Sequence, residues 1–400
     1  MLNLQESIKT SNNIIHVEDH VFLPYTNTSL GKTDLIRIPI QNSNSYLNIS
    51  ESSLYIEGKF TNLKPDTINE VSAVTTFPLF LFEEIKIFLN GVVLETVKNP
   101  GISVLMKLLL TSTPQELNQA SSFGYVDKLN TFSKNSSFSY NIPLDHLFGF
   151  AADYRKLIIY SRLELELLRS RNDDNCVVAS ANGPTELDIQ ITKVAWKVSQ
   201  YIVSENEKLK FLKILESNKS IPIPFRSFEL IENPALQEAA SFAWNMKTSL
   251  ERPLYVVLTF QKNKKDVLTE NASRFDHCDA KNVKLFINDT QWPFSNQNFH
   301  FETNKYNDAY TAFTKFLATY ANKKGQSSIS FAEFKTRCPY FVFDCSNYDL
   351  KTKNSPCDIR FELEFGKKLP ALTTGYVLLF YDTVYRYNCY TSIVSKDITW

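Results

Sequence analysis

The sequence predicts an all-β protein: two tandem β-sandwiches, each with an amphipathic helix inserted after a central hairpin. Three observations carry that expectation. Several segments alternate apolar and polar residues with period two, which marks a strand with one dry face and one wet face. Short phrases recur in the same order about half a chain apart. Each half also contains one segment where the apolar spacing switches to the helical period.

The echo is specific. IKIFLNG (85–91) returns as VKLFIND (283–289), and RLELEL (162–167) returns as RFELEF (360–365), both 198 positions on. SLYIEGKF (53–60) and PLYVVLTF (253–260) are 200 apart, and MKLLLT (106–111) has a looser partner in TKFLAT (314–319). A period near half the chain means one fold used twice, not a solenoid of short repeats. The alignment predicts that 85–91 superimposes on 283–289 and 162–167 on 360–365.

Taken in order, the elements begin with DLIRIPI, where Ile36, Ile38 and Ile40 share a face. In SLYIEGKF, Leu54, Ile56 and Phe60 face one way and Tyr55, Glu57 and Lys59 the other. IKIFLNGVVLETV reads as a hairpin, because Asn90-Gly91 accepts the positive φ of a tight type I′ turn. VKLFINDTQWPF is the same strand with a longer return, Asp289 standing where the first copy has glycine. Asn99 and Pro100 then open a helix with a stripe of Ile102, Leu105, Met106 and Leu109. Its counterpart places Tyr306, Tyr310, Phe313, Leu317 and Tyr320 at helical spacing. RLELEL turns Leu163, Leu165 and Leu167 inward with Glu164 and Glu166 outward; RFELEF does the same with Phe361, Leu363 and Phe365 against Glu362 and Glu364. Long strands, LDIQITKVAWKV (187–198) and GYVLLFYDTVYRY (375–387), end the two halves. Ser204 and Glu207 form a capping-box pattern that opens a helix between the halves. The expected division is an N-terminal arm at 1–19, a first sandwich at 20–203, a helical linker at 204–219 and a second sandwich at 220–400.

Bulk composition narrows the function classes. The 400 residues suit two cores rather than one. Basic and acidic residues balance at 43 each, which argues against a protein that binds nucleic acid along its length. Thirty Phe and 19 Tyr suit strands and interfaces, and only 10 Gly argue against phosphate-cradling loops. The six cysteines include no CxxC pair and are expected as free thiols of an intracellular product. The N-terminus has no signal-peptide pattern, and FPLFLF (77–82) is too short to span a bilayer.

Each fragment suggestive of chemistry also has a plainer reading. GKT (31–33) lacks the earlier glycine of a phosphate loop and runs into a strand instead of a helix. HVEDH (16–20) pairs His16 and His20 but lacks the helix and third ligand of a zinc site, so a solvated arm is expected. DHCD (276–279) sets His277 beside Cys278, and an exposed loop is expected there. Glu164/Glu166 and Glu362/Glu364 alternate outward instead of converging as glycosidase carboxylates do. KNKK (262–265) and NKK (322–324) read as solvated loop tips. No catalytic, cofactor-binding or metal-binding residue is therefore assigned, and no cofactor is expected.

The second half carries a resemblance. NVKLFINDTQWPFSNQNF (282–299), YNDAYTAFTKFLATY (306–320), FAEFKTRCPYFVFDCS (331–346), DIRFELEF (358–365) and GYVLLFYDTVYRYN (375–388) together resemble the double jelly-roll major capsid proteins of polinton-like viruses, adintoviruses and virophages. The resemblance covers about half the chain directly, and the internal repeat extends it to the rest. It implies two eight-stranded jelly rolls, no active site, and self-assembly as a pseudo-hexagonal homotrimer into an icosahedral shell around double-stranded DNA. It implies neighbouring trimers and a penton or minor capsid protein as partners, no specific nucleic-acid site, and a place in the virion after synthesis in the host cytoplasm or nucleus. The short loops leave little material for a receptor-binding tower. Two other classes fit tandem sandwiches: a glycan hydrolase or amidase with acids converging between the sandwiches, and a lectin-like or minor capsid component.

Overall fold

The computed structural model describes residues 13–25, 29–41, 46–64, 70–125, 130–133, 135–179, 186–250, 252–288, 290–346 and 357–397. Asp289 and the first twelve residues of the expected arm lie outside them. The principal strands of the first half are β1 (Ile14–Phe22), β2 (Leu35–Ile40), β3 (Tyr46–Lys64), β4 (Phe82–Leu89), β5 (Val92–Lys98), β6 (Ser137–Pro143), β7 (Leu163–Arg169) and β8 (Glu186–Val203). Those of the second are β9 (Ser220–Asn233), β10 (Ser241–Met246), β11 (Tyr255–Lys262), β12 (Ala280–Ile287), β13 (Thr290–Trp292), β14 (Phe341–Asp344), β15 (Ile359–Phe365) and β16 (Thr373–Asn388). The main helices are α1 (Pro100–Thr111), α2 (Glu205–Glu216), α3 (Asn307–Thr319) and α4 (Phe331–Arg337).

The first half pairs its strands in the orders β1-β8-β3-β6 and β2-β7-β4-β5, and the second in the orders β9-β16-β11-β14 and β10-β15-β12-β13. Adding eight to each label of the first half gives the second. Two four-stranded antiparallel sheets with this interleaved order, facing each other, make a jelly roll. The inward rows are those the alternation marked: Ile36, Ile38, Ile40, Leu54, Ile56, Phe60, Leu163, Leu165 and Leu167 are buried, as are Phe361, Leu363 and Phe365.

The repeat is real, but its register corrects the constant offset. Ile85 and Ile87 pair with Leu167 and Leu165, whereas Val283 and Leu285 pair with Leu363 and Phe361. With β4 and β12 aligned 198 apart, β7 and β15 are therefore equivalent 196 apart. RLELEL and RFELEF do lie on equivalent strands, slipped by two residues. The turn asparagines fix this assignment. Asn90 donates its N–H to the Arg162 carbonyl and accepts from the Arg162 N–H at 2.8 Å; Asn288 does the same with Asp358, its side chain accepting at 3.0 Å. Both asparagines have positive φ, 49° and 51°. A slip of two keeps every side chain on its own face, so an alternating pattern cannot reveal it.

Three further expectations change. α1 carries its predicted stripe, but its other face is buried too, because it lies beneath both halves rather than on a surface. Residues 14–19, expected within an arm, belong to β1, whose backbone pairs with β8 from Ile14 to Phe22. Residues 276–279 are not an exposed loop. Cys278 is buried, and the ring of His277 stacks on Phe301 with centroids 4.4 Å apart.

Candidate functional site

A constellation of buried and half-buried polar groups lies at the seam between the two sandwiches. β9 ends its sheet, so one edge of its backbone has no strand partner. Residues 149–153 of the first half cap that edge. The Arg226 N–H donates to Asp153 Oδ2 at 2.9 Å, while the Arg226 guanidinium grips the same carboxylate at 2.9 and 2.7 Å. A Cβ on Gly149 would stand 1.7 Å from the Arg226 carbonyl oxygen, so only glycine allows this approach. Next to it, Ser227 Oγ donates to Glu95 Oε1 at 2.7 Å, and the N–H groups of Gly149 and Phe150 donate to the same carboxylate at 3.1 and 2.9 Å.

α1 supplies the opposite charge. Lys107 Nζ donates to the Asp145 and His146 carbonyls at 3.2 and 3.1 Å and sits 4.8 Å from the centre of the Phe228 ring. Burial pushes the Glu95 carboxyl up, opposed by its donors and by Lys107; burial pushes the Lys107 ammonium down, opposed by Glu95. Burial also works against the Asp153 carboxylate, but the hydrogen bonds and charge of Arg226 outweigh it and hold the group below its ordinary value. These groups bond to one another across the seam and hold the two halves in one orientation, with Glu95 and Lys107 buried and Asp153 and Arg226 partly exposed.

The sequence-flagged fragments resolve individually. Lys32 of GKT is ion-paired with Asp188 at 2.9 Å. His16 and His20 share a face of β1 and both reach the Glu18 carboxylate, at 2.7 and 3.2 Å. No group of three or more metal-ligating side chains suited to a metal ion occurs among the described residues. His277 Nδ1 accepts from the Asp279 N–H, and burial, reinforced by Lys262, lowers its pKa to about 4. Burial raises the neighbouring Cys278 thiol to about 12, so these two are a packed pair rather than a nucleophile and its base.

The outward carboxylates form a charge ladder. Glu166 lies between Arg37 at 3.0 Å and Lys86 at 3.6 Å and is itself buried, unlike the exposed Glu362. The lysine clusters are engaged rather than free tips: Lys264 pairs with Asp276 at 2.9 Å and Lys323 with Glu116 at 2.8 Å. All six cysteines are free and buried. A cleft of about 550 Å³ opens between the halves and holds Glu84, Glu232 and Asp266. Each has a partner: Lys86, Lys265 and Asn175 respectively. The seam escaped sequence reading because Glu95, Gly149, Asp153 and Arg226 form no local motif.

A double jelly-roll-like domain family matches residues 71–385, well over half of the chain, and the chain belongs to that family. Solved structures agree on the fold across nearly the whole length. The Sputnik virophage structure from cryo-electron microscopy matches with a TM-score of 0.65 at 9% identity, covering 100% of this chain and 92% of the other. The mavirus major capsid protein matches at 0.58 and 11% identity, covering 99% and 92%. The Faustovirus major capsid protein matches at 0.57 and 8% identity, covering 96% and 92%. No curated protein matches the chain by sequence. No helix among the described residues is long and apolar enough to cross a membrane.

Proposed function

We propose that the chain is a major capsid protein that associates as a pseudo-hexagonal homotrimer, and that the trimers tile an icosahedral shell around a double-stranded DNA genome. One observation carries the reading: two equivalent jelly rolls are locked side by side by a head-to-tail contact, the edge strand of the second against residues 149–153 of the first. Three such chains place six similar blocks around a threefold axis, and a closed cyclic trimer is an ordinary symmetric solution. The proposed units are a first jelly roll that takes in β1 and runs to residue 203, a connecting segment at 204–219 and a second jelly roll at 220–400. Assembly is the proposed activity, with no catalytic, cofactor or metal site. The engaged state of the cleft carboxylates and the buried Cys278 thiol support that part. Zero net charge leaves genome condensation to other virion components. The partners are copies of the chain and a penton or minor capsid protein. The place of action is the virion, after synthesis in the host cytoplasm or nucleus. Negative-stain microscopy of the expressed protein tests this: hexagonally outlined particles with a threefold centre are expected, and single two-lobed particles at every concentration would contradict it.

A further inference from the structure

A second cleft, of about 920 Å³, opens at the end of the first jelly roll that carries the Asn90-Gly91 turn. It lies between the last residues of β2, the segment entering β7, and the turn at 389–392 that follows β16. Small-molecule sites fall roughly between 300 and 1,000 Å³, so the space is sufficient for a ligand.

Its walls carry groups that the fold leaves unspent. Tyr390 is 69% exposed and Tyr25 49%, and neither ring packs on another aromatic ring among the described residues. Tyr160 shares the cleft, and its hydroxyl meets that of Tyr46 at 3.2 Å, which fixes its ring. Its backbone has φ of 49°, a left-handed conformation uncommon for so bulky a residue. Strain of that kind persists only where the surroundings impose it, and it gathers at ligand clamps. Charge enters the cleft through Glu164 and Arg162. Glu164 has Arg37 at 3.7 Å. Arg162 uses its backbone on Asn90, but its exposed guanidinium has no hydrogen bond or ion pair among the described residues. Gln41, also exposed, adds an amide that both donates and accepts.

This lining selects a ligand class. A purely apolar ligand would leave the guanidinium and the amide unpaired. A polyphosphate would meet one free cation and the Glu164 carboxylate. A pyranose ring has an apolar C–H face that suits an exposed phenol ring and a hydroxyl rim that suits the amide. A planar guanidinium takes a carboxylate through two parallel hydrogen bonds. We propose that this cleft binds an acidic saccharide, with a sugar ring against Tyr390 and Tyr160 and its carboxylate on Arg162. The proposal goes beyond the assembly reading and does not depend on it, because every lining residue belongs to one chain.

The test uses the full chain and a matched pair of probes, methyl β-glucuronide and methyl β-glucoside, which differ only in the carboxylate. Saturation-transfer NMR titrations read binding, and thermal melting reads folding. The glucuronide is expected to bind in the millimolar range and the glucoside about tenfold or more weakly, the difference made by one charged contact. Arg162→Gln is expected to bring the two sugars to the same weak affinity, and Tyr390→Ala to weaken both. Both side chains are exposed, so each variant is expected to melt like the parent. Tyr25→Ala reads the same cleft should Tyr390→Ala misfold. Acetate, a carboxylate without a ring, is expected to compete poorly.

A folded parent that binds neither sugar at roughly 10 mM would overturn the site. Equal binding of both sugars, or glucuronide binding that survives Arg162→Gln, would overturn the role given to the carboxylate. Acetate competing as well as the glucuronide would overturn the saccharide assignment. The oligomeric state of the parent, which decides the assembly reading, changes none of these outcomes.

Discussion

At the residue scale, the seam shows how few side chains decide the placement of two large bodies. Gly149→Ala is expected to force Arg226 away and to cost about 2–4 kcal/mol, measured by urea unfolding, because a backbone carbonyl cannot yield as a flexible side chain can. A second prediction concerns acid. His277 has a folded-state pKa near 4, below the ordinary 6.5, because burial disfavours its charged form. Between these values the unfolded chain binds more protons, so stability is fully present above about pH 6.5 and declines as pH falls toward 4. The ceiling of that loss is on the order of 3 kcal/mol, and partial exposure reduces it. His277→Phe, which keeps the stack on Phe301, is expected to flatten the dependence. Unfolding midpoints at pH 7 and 4.5 check this, and an equal slope in the variant would contradict the assignment.

At the element scale, the sequence disclosed most of what repeats and little of what joins. Alternation in DLIRIPI and RLELEL showed the strands and their inward faces, because period two maps directly onto a two-faced sheet. It could not show the two-residue slip between β7 and β15, which leaves every face unchanged, nor that α1 is buried all round, since that depends on what the second half lays over it. The candidate site was the least legible part, because its members come from segments far apart. The turn asparagines offer a test of the duplication. Asn90→Ala and Asn288→Ala each remove a side-chain bond to an equivalent strand and strain a positive φ, so similar losses of about 1–3 kcal/mol are expected in both. Strongly unequal losses in urea titrations would show that the two turns are not equivalent in energy. α3 gives a harsher test. Phe313 is buried against Phe334 and Tyr340, so Phe313→Asp is expected to abolish the yield of folded protein by burying an unpaired charge.

At the scale of the whole molecule, two jelly rolls fixed in one orientation make a building block for assembly. An obligate contact between copies would bury well over ~2,000 Å² and would be largely apolar. Salt screens exposed charges but not buried aromatic contacts, so association is expected to survive high ionic strength. The mass in solution, by light scattering at micromolar concentration in both low and high salt, tests the central claim most directly. The account predicts a species of three times 46.0 kDa under both conditions; a single 46.0 kDa species under both would contradict it.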